Sequence, residues 1–296
     1  MPPTADERPG ATRTIAVGTR HIAGPPGIIA LLILNILSRF DAKGDPQSPD
    51  RLHVEIEATR LAYAARDAWI ADPEQANVPV DHLLSDGLAG RLAEMINLRR
   101  ALTDLPTFEM PLHRDTVYIS VVDQNRNAVS FINSIFDSFG TGLVSSRSGI
   151  ILHNRGQSFS LKPGHPNRIG PSRRPLHTII PGMVTRNSRV EMPFGVMGGY
   201  YQALGHAHLI SKVLDYGMDL QEAINLPRVM PTSNGTTVEA EHTIDGSTRG
   251  ELEGRGFTFT PAEEPIGGAQ AIRIDWENGT LIGASEPRKD GFAAGI

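Results

Sequence analysis

Residues 28–37 read IIALLILNIL, a run in which Asn35 is the one polar side chain. It is far shorter than the roughly 20 residues a helix needs to cross a bilayer. It is also apolar on every side, so as a helix it must be buried from several directions. The fold therefore has to wrap cover around it. A Gly24-Pro25-Pro26-Gly27 turn leads in, and polar and turn residues at 41–44 stop it. Asp50 is placed to cap a second helix, RLHVEIEATRLAYAARDAWI, with Leu52, Val54, Ile56, Leu61, Tyr63 and Trp69 at roughly helical spacing, ending before Asp72-Pro73. A third helix is expected over 86–100. Residues 101–114 hold two prolines and no sustained period, which reads as an exposed linker.

The character then changes. TVYISVVDQNRNAVSFINS, 116–134, sets two β-branched, aromatic-bearing runs on either side of a polar turn at 123–127, the pattern of a hairpin starting at Thr116. Further strands are expected at 149–152, 178–185, 190–196, 269–275 and, after Glu277-Asn278-Gly279, at 280–283. Two helices lie among them: 200–216, stopped by Gly217, and a short one capped by Asp219 and ended before Pro227. Helices first, then strands with inserted helices, make an α+β sandwich of sheet and helix. There is no internal repeat.

The 296 residues carry 28 Lys+Arg against 33 Asp+Glu, a net charge of −5. Scattered basic residues give no electrostatic case for nucleic acid or an acidic membrane as partner. The absence of cysteine removes thiol nucleophiles, disulfides and Cys-type metal sites. His206 and His208, two apart on a helix, diverge, and there is no HExxH, so no metal is expected; neither is a cofactor. No GxSxG elbow supports an α/β-hydrolase. Residues 1–23 read as a disordered lead-in. They lack the basic start and apolar core of a secretory signal, which favours a cytoplasmic location.

Three features carry chemistry. Taken alone, Thr116 is an ordinary β-branched strand residue; were the chain cut before it, its new α-amine would lie beside its own Oγ and serve as its base. Gly195-Val196-Met197-Gly198-Gly199 runs from strand to helix and presents backbone N–H groups suited to an oxyanion or phosphate, or is a plain turn. Arg155 with Ser158, and Arg173-Arg174-Pro175-Leu176-His177-Thr178, gather donors in loops, either to hold a carboxylate or to stay solvated.

Together, TVYISVVD, NAVSFINSIFDSFGTG, GIILHNRG, RRPLHTIIPG, FGVMGG, DYGMDLQEAINLPRV and GASEPRKDG resemble, in order and spacing, the small subunit of the γ-glutamyltranspeptidase family, which are N-terminal-nucleophile hydrolases. EIEATRLAYAARDAWIADP resembles the end of that family's large subunit. The resemblance implies an αββα four-layer sandwich, here partial. Residues 24–115 would be the helical end of the large subunit with its linker, and 116–296 the small-subunit-like catalytic part. It further implies a zymogen that cleaves itself at Asp115-Thr116 into 115 and 181 residues that stay together. Thr116 then attacks a γ-glutamyl amide, and the acyl group passes to water or an amine. Gly198 and Gly199 match the oxyanion-hole glycines, and Ser134 matches the hydroxyl that contacts the nucleophile.

The substrate side departs from the family pattern. An Asn falls at Phe136, a Gln at Arg155, the Asp that pairs the substrate ammonium at Ser158, and two serines at His177 and Thr178. An unpaired buried ammonium costs several kcal/mol, whereas Arg155 suits a carboxylate. The resemblance thus leans toward the branch with oxamate amidohydrolases and acylases. It also starts well inside the large subunit, so 28–37 is expected to lack part of its packing. The alternatives are a non-catalytic fragment and a chain that works only with a further chain or as a homo-oligomer.

Overall fold

The structure, a computed structural model, describes residues 13–17, 26–106, 108 and 116–296. Five antiparallel strands form the main sheet in the order β1-β4-β5-β9-β10, with β1 Arg13–Val17, β4 Gly182–Arg186, β5 Arg189–Met197, β9 Gly268–Asp275 and β10 Thr280–Ser285. Alternation along β5 assigns its two faces. Phe194 and Val196 point to the helices: the Phe194 ring lies 5.2 Å from His206, and Val196 abuts Gly205, both on α5 Tyr201–Leu214. Gly195 points the other way. A Cβ there would sit 2.2 Å from the Tyr118 ring of the hairpin β2 Val117–Val122 and β3 Ala128–Asn133. Helices, five-stranded sheet and hairpin are thus three successive layers of an α+β fold.

The helical layer centres on α1 Pro26–Leu37, buried almost throughout among α2 Pro49–Trp69, α4 Asp86–Met95 and α5. The expectation that this run lacks cover is therefore corrected: helices of this same chain enclose it. The apolar exposure lies instead on the outer face of the hairpin. There Ile119 pairs with Phe131 and Val121 with Val129, each about half exposed, with Val117 beside them. Strands apolar on both faces are built to be covered on both.

Several expected boundaries move for local reasons. The cap of α2 is Ser48, whose Oγ accepts Arg51 N–H at 3.3 Å; Asp50 sits in the first turn and pairs with Arg255 at 2.6 Å. α4 stops at Met95, before a turn in which Asn97 Oδ1 accepts Arg99 N–H. The described part of the expected exposed linker is docked: Ala101 N–H bonds Arg255 O at 2.7 Å, Leu102 N–H bonds Glu57 Oε1 at 2.9 Å, and Phe108 is buried against Tyr63. Of 149–152 only a Val144–Ile151 bridge forms, and β4 begins at Gly182 because Ile180 gives its N–H to Gln202 rather than to the sheet. Within the expected lead-in, β1 pairs with β4; the β-branched Thr14, Ile15 and Val17 suit a strand. Its other residues lie outside those described. A small sheet, β6 Val229–Pro231, β7 Thr237–Ala240 and β8 Thr258–Pro261, packs with α7 Gly246–Gly254 on Leu52 and Ile56 of α2. Between α5 and β6, α6 Leu220–Asn225 is capped by Asp219 as expected, and the four-residue α3 Val80–Leu83 precedes α4. No described helix is long and apolar enough to cross a membrane.

Charges hold α2 to α5. Buried Glu55 meets Lys212 at 2.5 Å, His208 at 2.9 Å and Arg51 at 2.9 Å. Burial alone would raise its carboxyl, but the Lys212 ammonium, the His208 contact and the Arg51 guanidinium together hold it well below the usual range. The buried imidazoles of His206 and His53 are pushed down to about 4 by desolvation, so both fold neutral. The unfolded chain, with histidines near 6.5, binds the extra protons below that pH. Their contribution to stability is whole above about pH 6.5 and drains away toward pH 4, by roughly 3 kcal/mol for each group at the acid end. The urea midpoint is therefore expected to fall steadily from pH 7 to pH 4.5; a flat profile would contradict the neutral assignments.

Candidate active site

Thr116 stands one residue before β2 and Ser134 one residue after β3, and the pairing of Val117 with Asn133 sets them at the same end of the hairpin. Thr116 Oγ1 donates to Ser134 Oγ at 3.3 Å. Ser134 Oγ also accepts Phe136 N–H at 3.0 Å, and its carbonyl accepts Arg155 Nη2 at 3.3 Å. Phe136 has a φ of 84°, a left-handed conformation rare for an aromatic residue and costing of order 1–3 kcal/mol. Its fully buried ring lies 5.4 Å from the Arg155 guanidinium. The register thus gathers four of the expected residues into one cluster.

Arg155 opens a 3-10 turn, Arg155–Ser158, and is only 7% exposed. Burial pushes its guanidinium down to about 10, offset only by Tyr200. Among the described residues no carboxylate pairs with it, and Nη1 has no hydrogen-bond partner. The buried Ser158 Oγ is likewise unpartnered. A desolvated cation with an open donor is costly unless an anion arrives.

The second group lies where β5 runs into α5. Gly198 has φ 121° and Gly199 φ 56°, and their carbonyls accept Tyr201 and Gln202 N–H at 3.0 and 3.1 Å. A Cβ on Gly198 would lie 2.6 Å from Gly267 Cα. That opposing backbone is pinned by Arg228, which donates to Ile266 O at 2.9 Å and pairs with Glu286 at 2.6 Å; Glu286 in turn accepts Ala269 N–H at 2.9 Å. Gly198→Ala should displace the turn and lower kcat about 100-fold, the scale of one lost oxyanion donor. Unchanged turnover would show that the turn plays no part in the chemistry.

His177 and Thr178 line a small cavity with Gly199 and Tyr200. Thr178 Oγ1 accepts Gln202 Nε2 at 3.4 Å, and His177 Nδ1 accepts Ile179 N–H at 3.2 Å. Tyr200 links the two groups: it lines this cavity and also a second one with Ser158, Asp67, His165 and Asn167. Tyr200, Gln202 and the α2 residues Tyr63, Arg66 and Asp67 had no assigned part in the sequence reading of the site. Their signal was the set of charged and aromatic residues inside an otherwise buried helix.

The structure superposes on the cephalosporin acylase from Bacillus halodurans with a TM-score of 0.83 and 37% identity, over 91% of this chain and 49% of that one. The fold is that of the N-terminal-nucleophile hydrolases. The family model for gamma-glutamyltranspeptidase matches residues 17–296, and the chain belongs to that family. It is 35% identical to the glutathione hydrolase-like YwrD proenzyme of Bacillus subtilis over 278 residues, covering 91% of this chain and 52% of that protein. To the oxamate amidohydrolase proenzyme of Klebsiella pneumoniae it is 35% identical over 298 residues, covering 94% of this chain and 53% of that protein. The chain thus spans about half the length of these relatives.

Proposed function

We propose that this chain carries the site of a self-processing threonine amidohydrolase or acyltransferase whose substrates bear a carboxylate. The observation that supports it most is the cluster in which Thr116, Ser134 and a buried Arg155, without a carboxylate partner among the described residues, meet. In the maturation step Thr116 Oγ attacks the Asp115 carbonyl carbon and the peptide C–N bond breaks, so that an ester forms and the Thr116 amine is freed; water then hydrolyses the ester, releasing the Asp115 carboxylate and restoring the Thr116 hydroxyl. In turnover Oγ attacks the substrate amide carbon, and the amine takes the hydroxyl proton and passes it to the leaving nitrogen. The acyl-enzyme is resolved by water or by an amine. Gly198 and Gly199 N–H groups steady the oxyanion, and Ser134 orients Oγ.

Arg155 receives the substrate carboxylate. Ser158 offers no charge to an α-ammonium, and the nearby Asp67 is already paired with Arg66 at 2.7 Å. Monoamides of dicarboxylic acids without an α-amine are therefore the favoured class, in line with relatives named oxamate amidohydrolase and acylase. Release of ammonia or amine from oxamate, succinamate and glutaramate, beside γ-glutamyl-p-nitroanilide and neutral butyramide, tests this. The expected order of kcat/KM is dicarboxylic monoamide first, γ-glutamyl amide second, butyramide last. A γ-glutamyl preference would refute the substrate class.

The exposed apolar face of the hairpin favours a second reading, in which the site assembles only when a further polypeptide covers that face. It predicts a chain that stays whole and inert alone.

A further inference from the structure

The turn that carries Gly198 and Gly199 is held from the opposite side of the proposed cleavage point. Tyr63 of α2 is wholly buried, and its hydroxyl donates to the carbonyl of Tyr200, the residue directly after Gly199. One turn of helix further, the Arg66 guanidinium lies between two aromatic rings, 4.6 Å from the Tyr63 centroid and 4.6 Å from that of Tyr200. Arg66 is fixed in turn by Asp67 at 2.7 Å, and Phe108 closes on the Tyr63 ring edge-on at 5.6 Å. From the other flank the turn meets the backbone of Gly267. Tyr200 is thus clamped by α2 through its carbonyl and its ring, and the peptides just before it have little room to rotate.

From this geometry we infer that Tyr63 and Arg66 are positioning residues: they fix the Gly198–Gly199 peptides in the orientation that receives the oxyanion, acting through Tyr200 and touching no substrate. The inference rests on the proposed role of those glycines. It has a consequence for the two fragments. Tyr63 and Arg66 precede residue 115, while the nucleophile and the glycine turn follow it. The N-terminal fragment is then a permanent half of the catalytic apparatus, and residues 116–296 alone would hold a nucleophile without an ordered oxyanion site.

Tyr63→Phe removes one hydroxyl and keeps the ring that packs on Arg66 and Phe108. With the best substrate of the panel above, kcat is expected to fall at least about 10-fold while KM stays within about two-fold, because an interaction made only in the transition state is lost. Phe108→Leu, which disturbs the same ring without touching the hydroxyl, should lower the melting temperature yet keep kcat. Amide exchange followed by mass spectrometry over 196–204 should quicken in Tyr63→Phe with global protection retained; this readout holds even where turnover is too slow to measure. Equal kcat in Tyr63→Phe and parent, or equal exchange over 196–204, overturns the inference alone. Loss of kcat in Phe108→Leu as deep as in Tyr63→Phe also overturns it, since packing would then suffice. A parent that neither cuts itself nor turns over any substrate of the panel overturns the role of the glycine turn, and this inference with it.

Discussion

Thr116→Ala is expected to remain a single chain and to lose amide turnover by at least about 10³-fold, because one side chain supplies the nucleophile for both reactions. The loss should come without unfolding. Thr116 is partly exposed ahead of β2 and its hydroxyl meets Ser134 at 3.3 Å, a long contact at the end of the hairpin, so the melting temperature should shift little. Thr116→Ser keeps a hydroxyl in place and should retain slow cleavage and measurable turnover. Ser134→Ala should slow both reactions without abolishing either, since Ser134 orients Oγ and does not react. Turnover in Thr116→Ala equal to the parent would remove the residue from the mechanism.

Arg155→Ala should raise KM for glutaramate by about 100-fold, the scale of a charge-assisted contact to a buried partner. Butyramide, which has no carboxylate, should change less than about three-fold. The same substitution carries a stability expectation of opposite sign to that for an ordinary buried ion pair. Arg155 is buried with no carboxylate beside it among the described residues, so its removal relieves desolvation instead of stranding a partner. The melting temperature should hold or rise. A site in which KM moves equally for charged and neutral amides would show that Arg155 shapes the pocket without binding the anion. A sharp fall in stability would show that it is a structural cation.

How much of this was legible in the sequence differs by element. The hairpin, β5, α5, the Asp219 cap of α6 and the β9–β10 turn announced themselves through alternation, glycine stops and capping residues, which are local signals. The β6–β7–β8 sheet did not: its strands are three or four residues long, one ends on Pro231, and β7 pairs in parallel with β8 across an intervening helix. That helix, α7, holds Gly246, Gly250 and Gly254 and gives almost no apolar stripe. Thr116, Gly198 and Gly199 had bland local readings that only the family resemblance sharpened. The Arg155 cluster was legible as residue types, but that no described carboxylate pairs with it is a property of packing. The role of Tyr63 and Arg66 could not be read from spacing at all, because what they grip, Tyr200, lies more than 130 residues away. The same holds for α1, whose cover comes from helices on both sides of the hairpin in sequence.

The central claim is that Thr116 becomes a chain terminus and acts from it. Intact mass together with N-terminal sequencing of the purified protein after incubation at neutral pH, beside Thr116→Ala, tests it most directly. The account predicts two fragments from the parent, of 115 and 181 residues, the larger beginning Thr116-Val117-Tyr118, and one chain of 32.0 kDa from Thr116→Ala. A parent that stays whole at 32.0 kDa, or that is cut at another bond, would contradict it.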